Sequence, residues 1–507
     1  MQLKFRFGRR IDRIVLLGVL VGGTSPWLYA ATDVRCEALR ETHTSILSVT
    51  TATFVAADES ANPRRAGLPS YCRVAAILRP SSDSEIHMVL WMPEQHVWNG
   101  KYEGTGNGGW GGSIDENAIA AAVRRGYAAS SSDTGHSGGR ASFAVGHPER
   151  LIDFGYRAVH EMTVASKLLI AAYYGEAPKL AYFQGCSSGG RQALMEAQRY
   201  PADYDGIIAG APTNNWTRLM FGRLWVAQAT LSDPASYIPP AKYPVIHNAV
   251  LAACDSLDGV KDGVLEDPRK CSFDPAVLEC KAGDAPNCLT KAQVAAARQI
   301  YTPATNPRTS GQIFPPMERG SELVWARLAG GPQPIQLADD HFKYVVFQNP
   351  AWDFRTLNFD SDFKTAMTKD NGVLSAIDPD LRPFFSRGGK LIHYHGWTDQ
   401  QVMPENSIHY FNSVSAKVGA NADASYRLFM APGMNHCGGG DGPSHFDMLS
   451  ALEQWREQGK APDAILASRE VDGRVDRTRP LCSFPEVAKY TGNASTDEAK
   501  NFVCAKP

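Results

Sequence analysis

The chain has 507 residues, of which 43% are hydrophobic and 21% are charged, and its formal net charge at pH 7 is −2. This composition is typical of a soluble globular protein, and the length leaves room for two or three domains with large cores. The near-neutral charge gives no reason to expect a nucleic acid or a membrane surface as a partner.

Residues 1–31 have the pattern of an export signal. The apolar run from Ile14 to Val21 is too short to span a bilayer, and Leu28-Tyr29-Ala30-Ala31 offers a cleavage site. The basic residues before the run are Lys4, Arg6, Arg9, Arg10 and Arg13. The pair Arg9-Arg10 leaves a twin-arginine signal open, and a buried N-terminal helix is the alternative. We expect a secreted or periplasmic protein without a membrane anchor after cleavage.

Residues 32–212 alternate strand-like and helix-like segments, which is α/β patterning. Strands are predicted at 72–78 and 85–91, and amphipathic helices at 116–124 and 157–173. This alternation predicts the first part of an α/β core.

Residues 213–388 have a different sequence pattern, with Trp, Asn and Pro clusters, loops rich in Asp and Gly, and few clear strands. A buried strand returns at 390–394, and another follows at 426–430. The sequence therefore predicts an α/β core in two parts, 32–212 and 389–507, with the lid domain 213–388 inserted between them.

A glycine-rich turn, Gly185-Cys186-Ser187-Ser188-Gly189, joins an apolar strand at 180–183 to a helix at 191–199. A G-x-S-x-G sequence between a strand and a helix is the nucleophile elbow of α/β-hydrolases. The turn is too sharp for side chains at its two glycines, and it holds the Ser187 hydroxyl clear of the backbone. We therefore predict an α/β-hydrolase core with a large inserted lid domain and Ser187 as its nucleophile.

A serine nucleophile needs a base within hydrogen-bond reach, and the base needs an acid that orients it. In α/β-hydrolases the chain order is serine, acid, histidine, and each follows a strand. Asp399 follows the strand at 390–394, and His436 follows the strand at 426–430. We predict that Ser187, Asp399 and His436 form a catalytic triad.

Other interpretations of the polar residues stay open. His395 lies close to Asp399, but it precedes the acid in chain order, which argues against its being the base. Asp133 and His136 resemble a dyad, but they precede the serine, so a structural or site-lining role is favoured. A solvent-facing Ser187 without a catalytic role is the remaining alternative.

The chain has 10 cysteines, and all of them follow the export signal. In an oxidising compartment they should pair, and none shows the C-x-x-C spacing of a structural zinc site. Cys186 directly precedes Ser187, and Cys437 directly follows His436. If the serine and the histidine touch, these cysteines are close enough to bond and to tie the nucleophile loop to the base loop. Spacing alone leaves the other pairings open.

The combination Cys-Ser, Asp and His-Cys resembles the tannase and feruloyl esterase family, which includes a bacterial hydrolase of mono(2-hydroxyethyl) terephthalate. Residues 185–212, GCSSGGRQALMEAQRYPADYDGIIAGAP, look like the elbow block of that family nearly throughout. The resemblance extends from about Cys36 to Cys504. It implies four further disulfides: Cys36–Cys72, Cys254–Cys271, Cys280–Cys288 and Cys482–Cys504.

Acyl transfer also requires hydrogen-bond donors for the oxyanion. The backbone N–H of Ser188, the residue after the nucleophile, supplies one donor. The second is expected from the glycine loop at 103–112, where the resemblance favours Gly109, with Gly108 next to it. A flexible turn is the alternative for this loop. No Lys-Ser/Thr pair follows, which excludes a P-loop.

The segment 254–264, Cys-Asp-Ser-Leu-Asp-Gly-Val-Lys-Asp-Gly-Val, is rich in carboxylates. Hard oxygen ligands in such density suit Ca²⁺, although the spacing is not that of an EF-hand. The segment resembles the calcium site in the lid of the family. The ligands that this implies are the side chains of Asp255, Asp258 and Asp262 and the carbonyls of Val260 and Val264. We expect a structural Ca²⁺, and a solvated acidic turn is the alternative.

These features predict a secreted carboxylic ester hydrolase that forms an acyl-enzyme on Ser187. The family acts on esters of aromatic acids, so the resemblance implies a small aromatic ester or an ester derived from a plant polymer. The stretch 347–355 looks more like feruloyl esterases than a dedicated terephthalate hydrolase, and feruloyl esters are therefore favoured. Galloyl esters and mono(2-hydroxyethyl) terephthalate are alternatives. A serine peptidase or amidase, or a binding module without activity, is more remote.

A flat acyl group needs an apolar slot lined by aromatic side chains. The insertion offers four candidates, although a place in the core of the lid is favoured for each: Trp325, Phe347, Trp352 and Phe354.

Overall fold

The computed structural model describes residues 33–57, 66–492 and 494–507. The export signal predicted at 1–31 lies outside these residues. Among the helices of the described ranges, none is long and apolar enough to cross a membrane.

The β-strands of the described residues are numbered in chain order. They are β1 (Leu47–Val55), β2 (Tyr71–Leu78), β3 (Ile86–Pro93), β4 (Lys101–Thr105), β5 (Ala128–Ser132), β6 (Leu180–Cys186), β7 (Gly206–Gly210), β8 (Ala304–Thr305), β9 (Gln312–Phe314), β10 (Lys390–Gly396), β11 (Tyr426–Ala431), β12 (Ala464–Val471), β13 (Arg474–Cys482), β14 (Val487–Tyr490) and β15 (Phe502–Ala505).

The α-helices are numbered in the same way. They are α1 (Val34–Ala38), α2 (Glu116–Arg124), α3 (Pro148–Ile152), α4 (Ala158–Tyr174), α5 (Ser188–Arg199), α6 (Trp216–Leu231), α7 (Tyr243–Cys254), α8 (Lys291–Ile300), α9 (Ala326–Ala329), α10 (Gln336–Asp340), α11 (Ser361–Asp370), α12 (Arg382–Phe385), α13 (Glu405–Val418) and α14 (Met448–Gln458).

A central sheet of nine strands has the order β1-β2-β3-β5-β4-β6-β7-β10-β11. The strands β1, β2, β3 and β5 pair antiparallel to one another, whereas β5, β4, β6, β7, β10 and β11 run parallel. Parallel strands require crossover connections, and helices packed on both faces of the sheet supply them. The predicted α/β class is confirmed.

The predicted helix at 116–124 coincides with α2 and shows why the pattern is reliable. Asp115 caps it by accepting hydrogen bonds from the backbone N–H groups of Asn117 and Ala118, both at 3.0 Å. The apolar residues Ile119 and Val123, four apart on one helix face, are fully buried against the sheet. The predicted helix at 157–173 is shifted by one residue in the structure, because a π-helical turn at Asp153–Arg157 leads into α4.

The segment between β7 and β10, which the structure describes throughout, adds no strand to the central sheet. Its strands are the short pair β8 and β9, and the rest is helices and loops. It builds most of a large apolar cluster, whose buried members include Trp216, Phe221 and Phe342. The predicted boundaries of the lid, 212/213 and 388/389, fall in the loops that flank this segment.

Four of the parallel strands end at one edge of the sheet, and this edge positions the candidate site. The register pairs Thr105 at the end of β4 with Gln184 of β6, and Gly396 at the end of β10 with Ala431 at the end of β11. The loops after these strands carry the glycine loop, Ser187, Asp399 and His436 respectively. The sheet thus collects at one edge the residues that the chain order keeps far apart.

Candidate active site

Ser187 occupies a strained turn between β6 and α5. Its backbone angles are φ 64° and ψ −120°, a region that residues with side chains rarely adopt. The glycines around it are required by close packing. A Cβ on Gly185 would lie 2.5 Å from the backbone carbonyl carbon of Gly189, and one on Gly106 would lie 2.5 Å from its Cα. This geometry is that of a nucleophile elbow.

Asp399 and His436 form a hydrogen-bonded pair. The distance from His436 Nδ1 to Asp399 Oδ2 is 2.7 Å, and the backbone N–H groups of Gln401 and Val402 donate to Asp399 Oδ1 at 2.7 and 2.9 Å. Burial alone would raise the pKa of Asp399. The charge of His436 and the hydrogen bonds from His395 and His436 outweigh it and hold that pKa well below its usual value. The carboxylate is therefore ionised and fixed beside the imidazole.

Three further hydrogen bonds fix the loop that carries Asp399 against the loop that carries His436. The Thr398 hydroxyl donates to Asn435 Oδ1 at 2.9 Å, and the backbone N–H of Thr398 donates to the Met434 carbonyl at 3.0 Å. The backbone N–H of His436 donates to Gln400 Oε1 at 3.2 Å. Each residue next to the acid or the base thus helps to hold the two loops in register.

A disulfide joins the loop that carries His436 to the turn that carries Ser187. Cys186 and Cys437 are bonded, with their Cα atoms 6.0 Å apart, and they are the immediate neighbours of Ser187 and His436. Within the described residues the Ser187 hydroxyl makes no hydrogen bond. In the absence of substrate, catalytic hydrogen bonds are often long, so a free hydroxyl at this position is compatible with a nucleophile.

The glycine loop is attached to the helix that follows the nucleophile. Ser188 is the first residue of α5, so its backbone N–H has no partner within the helix. Its hydroxyl donates to the Gly109 carbonyl at 2.5 Å. Asn107 and Gln192 exchange two hydrogen bonds, from the Asn107 backbone N–H at 2.9 Å and from Gln192 Nε2 at 3.1 Å. The loop that offers the predicted second oxyanion donor therefore lies directly beside the first.

A family model described as "Tannase and feruloyl esterase" matches residues 72–505. The chain belongs to the tannase and feruloyl esterase family. It is 38% identical over 489 residues to an uncharacterized esterase of Xanthomonas campestris pv. campestris, a match that covers 86% of this chain and 84% of that protein. It is 34% identical over 456 residues to a probable feruloyl esterase B-2 of Aspergillus terreus, which covers 84% of this chain and 85% of that protein.

Solved structures of the family have the same fold. Feruloyl esterase B from Aspergillus oryzae matches with a TM-score of 0.87 at 31% identity, over 93% of this chain and 99% of that one. Tannin acyl hydrolase from Aspergillus niger matches with a TM-score of 0.80 at 23% identity, over 93% of this chain and 94% of that one. These proteins are α/β-hydrolases, so the predicted fold is confirmed. As a member of this family, the protein is a carboxylic ester hydrolase.

In this esterase His395 is a second partner of the acid. Its Nε2 atom lies 3.0 Å from Asp399 Oδ2, the same oxygen that binds His436, and 2.9 Å from the Val402 carbonyl. His395 is fully buried. The sequence pattern shows His395 near Asp399 but cannot show that two imidazoles share one carboxylate oxygen.

The other predicted rival pair does not form. Asp133 accepts hydrogen bonds from the Gly135 backbone N–H at 2.9 Å and lies 2.8 Å from His87 Nδ1. His136 instead stacks on Phe143, with ring centroids 3.7 Å apart, and burial lowers its pKa to about 4. These contacts match the structural role that was favoured for both residues.

A cleft of about 450 Å³ opens beside the glycine loop. Gly108, Gly109 and Trp110 line one side, and residues of the lid between 326 and 337 line the other. Arg140 of the core donates to Asp340 of α10 at 2.7 and 2.8 Å, and this bidentate ion pair holds the lid beside the loop. No local sequence pattern indicates this pair, because its members are far apart in the chain.

The four aromatic candidates of the insertion lie in the core of the lid. Trp325 and Phe354 are buried members of its apolar cluster, and Phe347 and Trp352 pack against that cluster. None of the four belongs to the lining of the cleft beside Gly109.

The acidic loop, residues 254–266, is held by its own backbone. Asp255 Oδ1 accepts from the Asp262 and Gly263 N–H groups at 3.3 and 3.1 Å, and Asp258 accepts from the Val260 and Glu266 N–H groups at 2.9 and 3.1 Å. No group of three or more His, Cys, Asp or Glu side chains in the described ranges is arranged to hold a metal ion. The predicted calcium ligands are thus neighbours whose carboxylates point at backbone amides.

Two arginines reach this loop from β13. Arg479 donates to Asp262 Oδ2 at 2.5 Å, and Arg477 lies 3.6 Å from the same oxygen. Burial raises the pKa of Glu266 to about 7, and the nearby carboxylates of Asp258 and Asp262 add to this effect. Asp262 thus pairs with one guanidinium group and lies near a second. Carboxylate and carbonyl oxygens are the donors that Ca²⁺ prefers, and in this structure the carboxylates accept from backbone amides and from Arg479.

The structure contains the four other disulfides that the resemblance implied. They are Cys36–Cys72, Cys254–Cys271, Cys280–Cys288 and Cys482–Cys504. The described residues contain no free cysteine.

Proposed function

We propose that this esterase is an exported serine hydrolase of aromatic acid esters, with feruloyl esters as the favoured substrates. The observation that carries the proposal is the linkage of the base to the nucleophile: His436 bonds to Asp399 at 2.7 Å, and the Cys186–Cys437 disulfide anchors its loop to the elbow. Both contacts support the prediction that Ser187, Asp399 and His436 act as a triad.

The reaction follows from the hydrogen bonds. Because His436 uses its Nδ1–H to donate to the ionised Asp399, its Nε2 atom is free to accept the proton of the Ser187 hydroxyl. The Ser187 oxygen then attacks the ester carbonyl, and the backbone N–H groups of Ser188 and Gly109 stabilise the oxyanion. The protonated imidazole returns the proton to the departing alcohol. Water, deprotonated by the same imidazole, hydrolyses the acyl-enzyme and frees the acid.

The substrate class rests on the cleft and on the relatives. A cleft of about 450 Å³ next to the oxyanion donors is large enough for a single aromatic ring with a short acyl chain. The relatives with more than 30% identity include proteins named as feruloyl esterases. The names of the relatives favour a feruloyl group, and the cleft has room for one.

The test is a substrate panel of methyl ferulate, methyl gallate and mono(2-hydroxyethyl) terephthalate. We expect the largest kcat/KM for methyl ferulate. Ser187→Ala should lower kcat by at least about 10³-fold and abolish labelling by a fluorophosphonate, whereas Ser166→Ala, a buried serine outside the site, should change neither. A Ser187→Ala variant that keeps its turnover would disprove the serine mechanism, and preference for the gallate or the terephthalate would reassign the acyl group.

The export part of the proposal rests on the N-terminal pattern and on the disulfides. Five disulfides within the described residues are compatible with folding in an oxidising compartment. Fractionation of the producing cells, with N-terminal sequencing of the mature protein, tests this part, and a cytosolic protein that keeps Met1 would contradict it.

We further propose that the acidic loop binds a structural Ca²⁺. The side chains of Asp255, Asp258 and Asp262 and the carbonyls of Val260 and Val264 would hold the ion, and the surplus of carboxylates over arginines in the loop supports this set. The ion takes no part in the chemistry at Ser187.

A further inference from the structure

A chain of hydrogen-bonded, buried side chains leads from Asp399 into the core. His395 Nδ1 lies 2.6 Å from the Ser407 hydroxyl, His393 Nε2 lies 2.8 Å from the same hydroxyl, and His393 Nδ1 lies 2.8 Å from the Tyr426 hydroxyl. At the other end His395 Nε2 contacts Asp399 Oδ2 at 3.0 Å. His395, Ser407, His393 and Tyr426 are at most 1% exposed. We call these four side chains the buried relay.

The hydrogen-bond acceptors beside His395 Nε2 determine the direction of the hydrogen bonds in the relay. The Val402 carbonyl can only accept and the Asp399 carboxylate is ionised, so the Nε2 atom of His395 carries the proton that both receive. When the His395 ring carries this single proton, its Nδ1 atom accepts from the Ser407 hydroxyl at 2.6 Å.

The same argument continues past Ser407. Because the Ser407 hydroxyl has donated its only proton to His395, its oxygen accepts from His393 Nε2–H. Burial holds the pKa of His393 well below its usual value, so that ring is neutral, and its Nδ1 atom accepts from the Tyr426 hydroxyl. Every hydrogen bond of the relay thus points toward Asp399.

We infer that His395 is a positioning residue that tunes the base His436 through Asp399, with Ser407, His393 and Tyr426 fixing its tautomer. The inference rests on the proposed serine mechanism. His395 and His436 donate to the same oxygen, so His395 withdraws part of the negative charge that would otherwise stabilise a protonated His436. His395 and His436 therefore compete for the same oxygen of Asp399.

Two other titratable groups lie near Asp399 or the relay, and neither is a hydrogen-bond partner of the carboxylate. Arg223 from α6 is fully buried and also faces the acid, but its Nε atom donates to the Gln401 carbonyl at 2.9 Å and not to the carboxylate. Tyr410 from α13 is the remaining titratable neighbour of the relay, beside Tyr426, and burial raises its pKa above the range of the assay. Near neutral pH neither side chain changes its charge.

The experiment measures kcat/KM for the preferred ester against pH in His395→Leu, His395→Gln and Ser407→Ala. In His395→Leu the acidic limb of the pH profile, where kcat/KM rises with pH, should move to higher pH by on the order of half a unit. The reason is that Asp399 without His395 holds a protonated His436 more tightly. The value of kcat/KM above the limb should fall about 10-fold, through kcat more than through KM. His395→Gln keeps an N–H donor at a similar reach and should restore the limb.

Ser407→Ala should move the limb in the same direction by a smaller amount, and it keeps the test valid if the leucine variant does not fold. Ser166→Ala is the matched control, because Ser166 is equally buried and donates to Ser130, away from the triad. An unmoved acid limb in folded His395→Leu and Ser407→Ala, with Ser187→Ala inactive, would overturn this inference alone. Turnover in Ser187→Ala would overturn the serine mechanism and the inference with it.

Discussion

The edge of the sheet that carries the proposed triad, here called the catalytic edge, and the acidic loop of the lid both hold buried negative charge, but they balance it differently. At the edge, two imidazoles and two backbone N–H groups surround the single carboxylate of Asp399. In the acidic loop, Asp255 and Asp258 accept from backbone amides, and Arg479 pairs with Asp262. The first region is complete without any added group, whereas the second retains a surplus of negative charge. A carboxylate whose hydrogen bonds are all satisfied suits a site that must hold one geometry. Excess carboxylate charge suits a site that binds a cation.

The sharpest test of this difference is to remove one disulfide from each region. In Cys186→Ala/Cys437→Ala we expect kcat/KM to fall on the order of 100-fold, because small displacements of a base from its nucleophile are costly. In Cys254→Ala/Cys271→Ala, which frees the acidic loop, we expect a lower Tm and an unchanged kcat. Ester hydrolysis and thermal melts of both variants provide the measurement. Unchanged turnover in the first variant would show that the hydrogen bonds alone hold the catalytic edge.

Glu103 is a buried carboxyl group on β4, the strand that leads into the glycine loop. Its substitution tests whether the catalytic edge tolerates unbalanced charge. Burial raises the pKa of Glu103 from 4.5 to about 7, with Gln184 as its hydrogen-bond partner. Because the folded state holds this proton more tightly than the unfolded state, its contribution to stability declines as the pH rises from 4.5 to about 7 and stays low above that.

Glu103→Gln should abolish that decline. Between pH 5 and pH 8 the free energy of unfolding of the parent should fall by about 2.5 kcal/mol relative to the variant. Denaturant unfolding at the two pH values measures the difference. A gap between parent and variant that is the same at both pH values would contradict the raised pKa.

The smallest effect is expected from removing the ion proposed for the acidic loop. Chelation with EGTA should lower the Tm by a few degrees and leave kcat unchanged, since a bound ion stabilises the folded state by an amount that grows with the logarithm of one plus the ratio of free Ca²⁺ to Kd. Asp258→Asn is the control, and its Tm should not respond to Ca²⁺ or EGTA. Equal melting of the parent protein with Ca²⁺ and with EGTA would refute the site.

The sequence patterns predicted the features that depend on local chain direction. The elbow at Ser187, the strands before Asp399 and His436, and the helix at 116–124 all follow from turn residues and periodicity within a short stretch. The Cys186–Cys437 bond could be inferred because each cysteine adjoins a residue of the triad. Local order therefore accounts for the fold of the core and for the proposed reacting groups.

What could not be predicted depends on contacts across the fold. The relay joins β10, α13 and β11, and no spacing in the chain links Ser407 to His393 or Tyr426. The ion pairs Arg140–Asp340 and Arg479–Asp262 also connect segments that are remote in sequence. These contacts depend on how whole helices and strands pack together, and that packing cannot be read from a single sequence.

The covalent link between Cys186 and Cys437 has a consequence for when the enzyme begins to work. Where thiols are kept reduced, the two loops lack their link, and a newly made chain would be a weak hydrolase even if its sheet had formed. Oxidation would then act as a maturation step, switching on turnover without cleavage of the folded chain. On the export proposed above, ester bonds inside the producing cell would be spared until the protein leaves it.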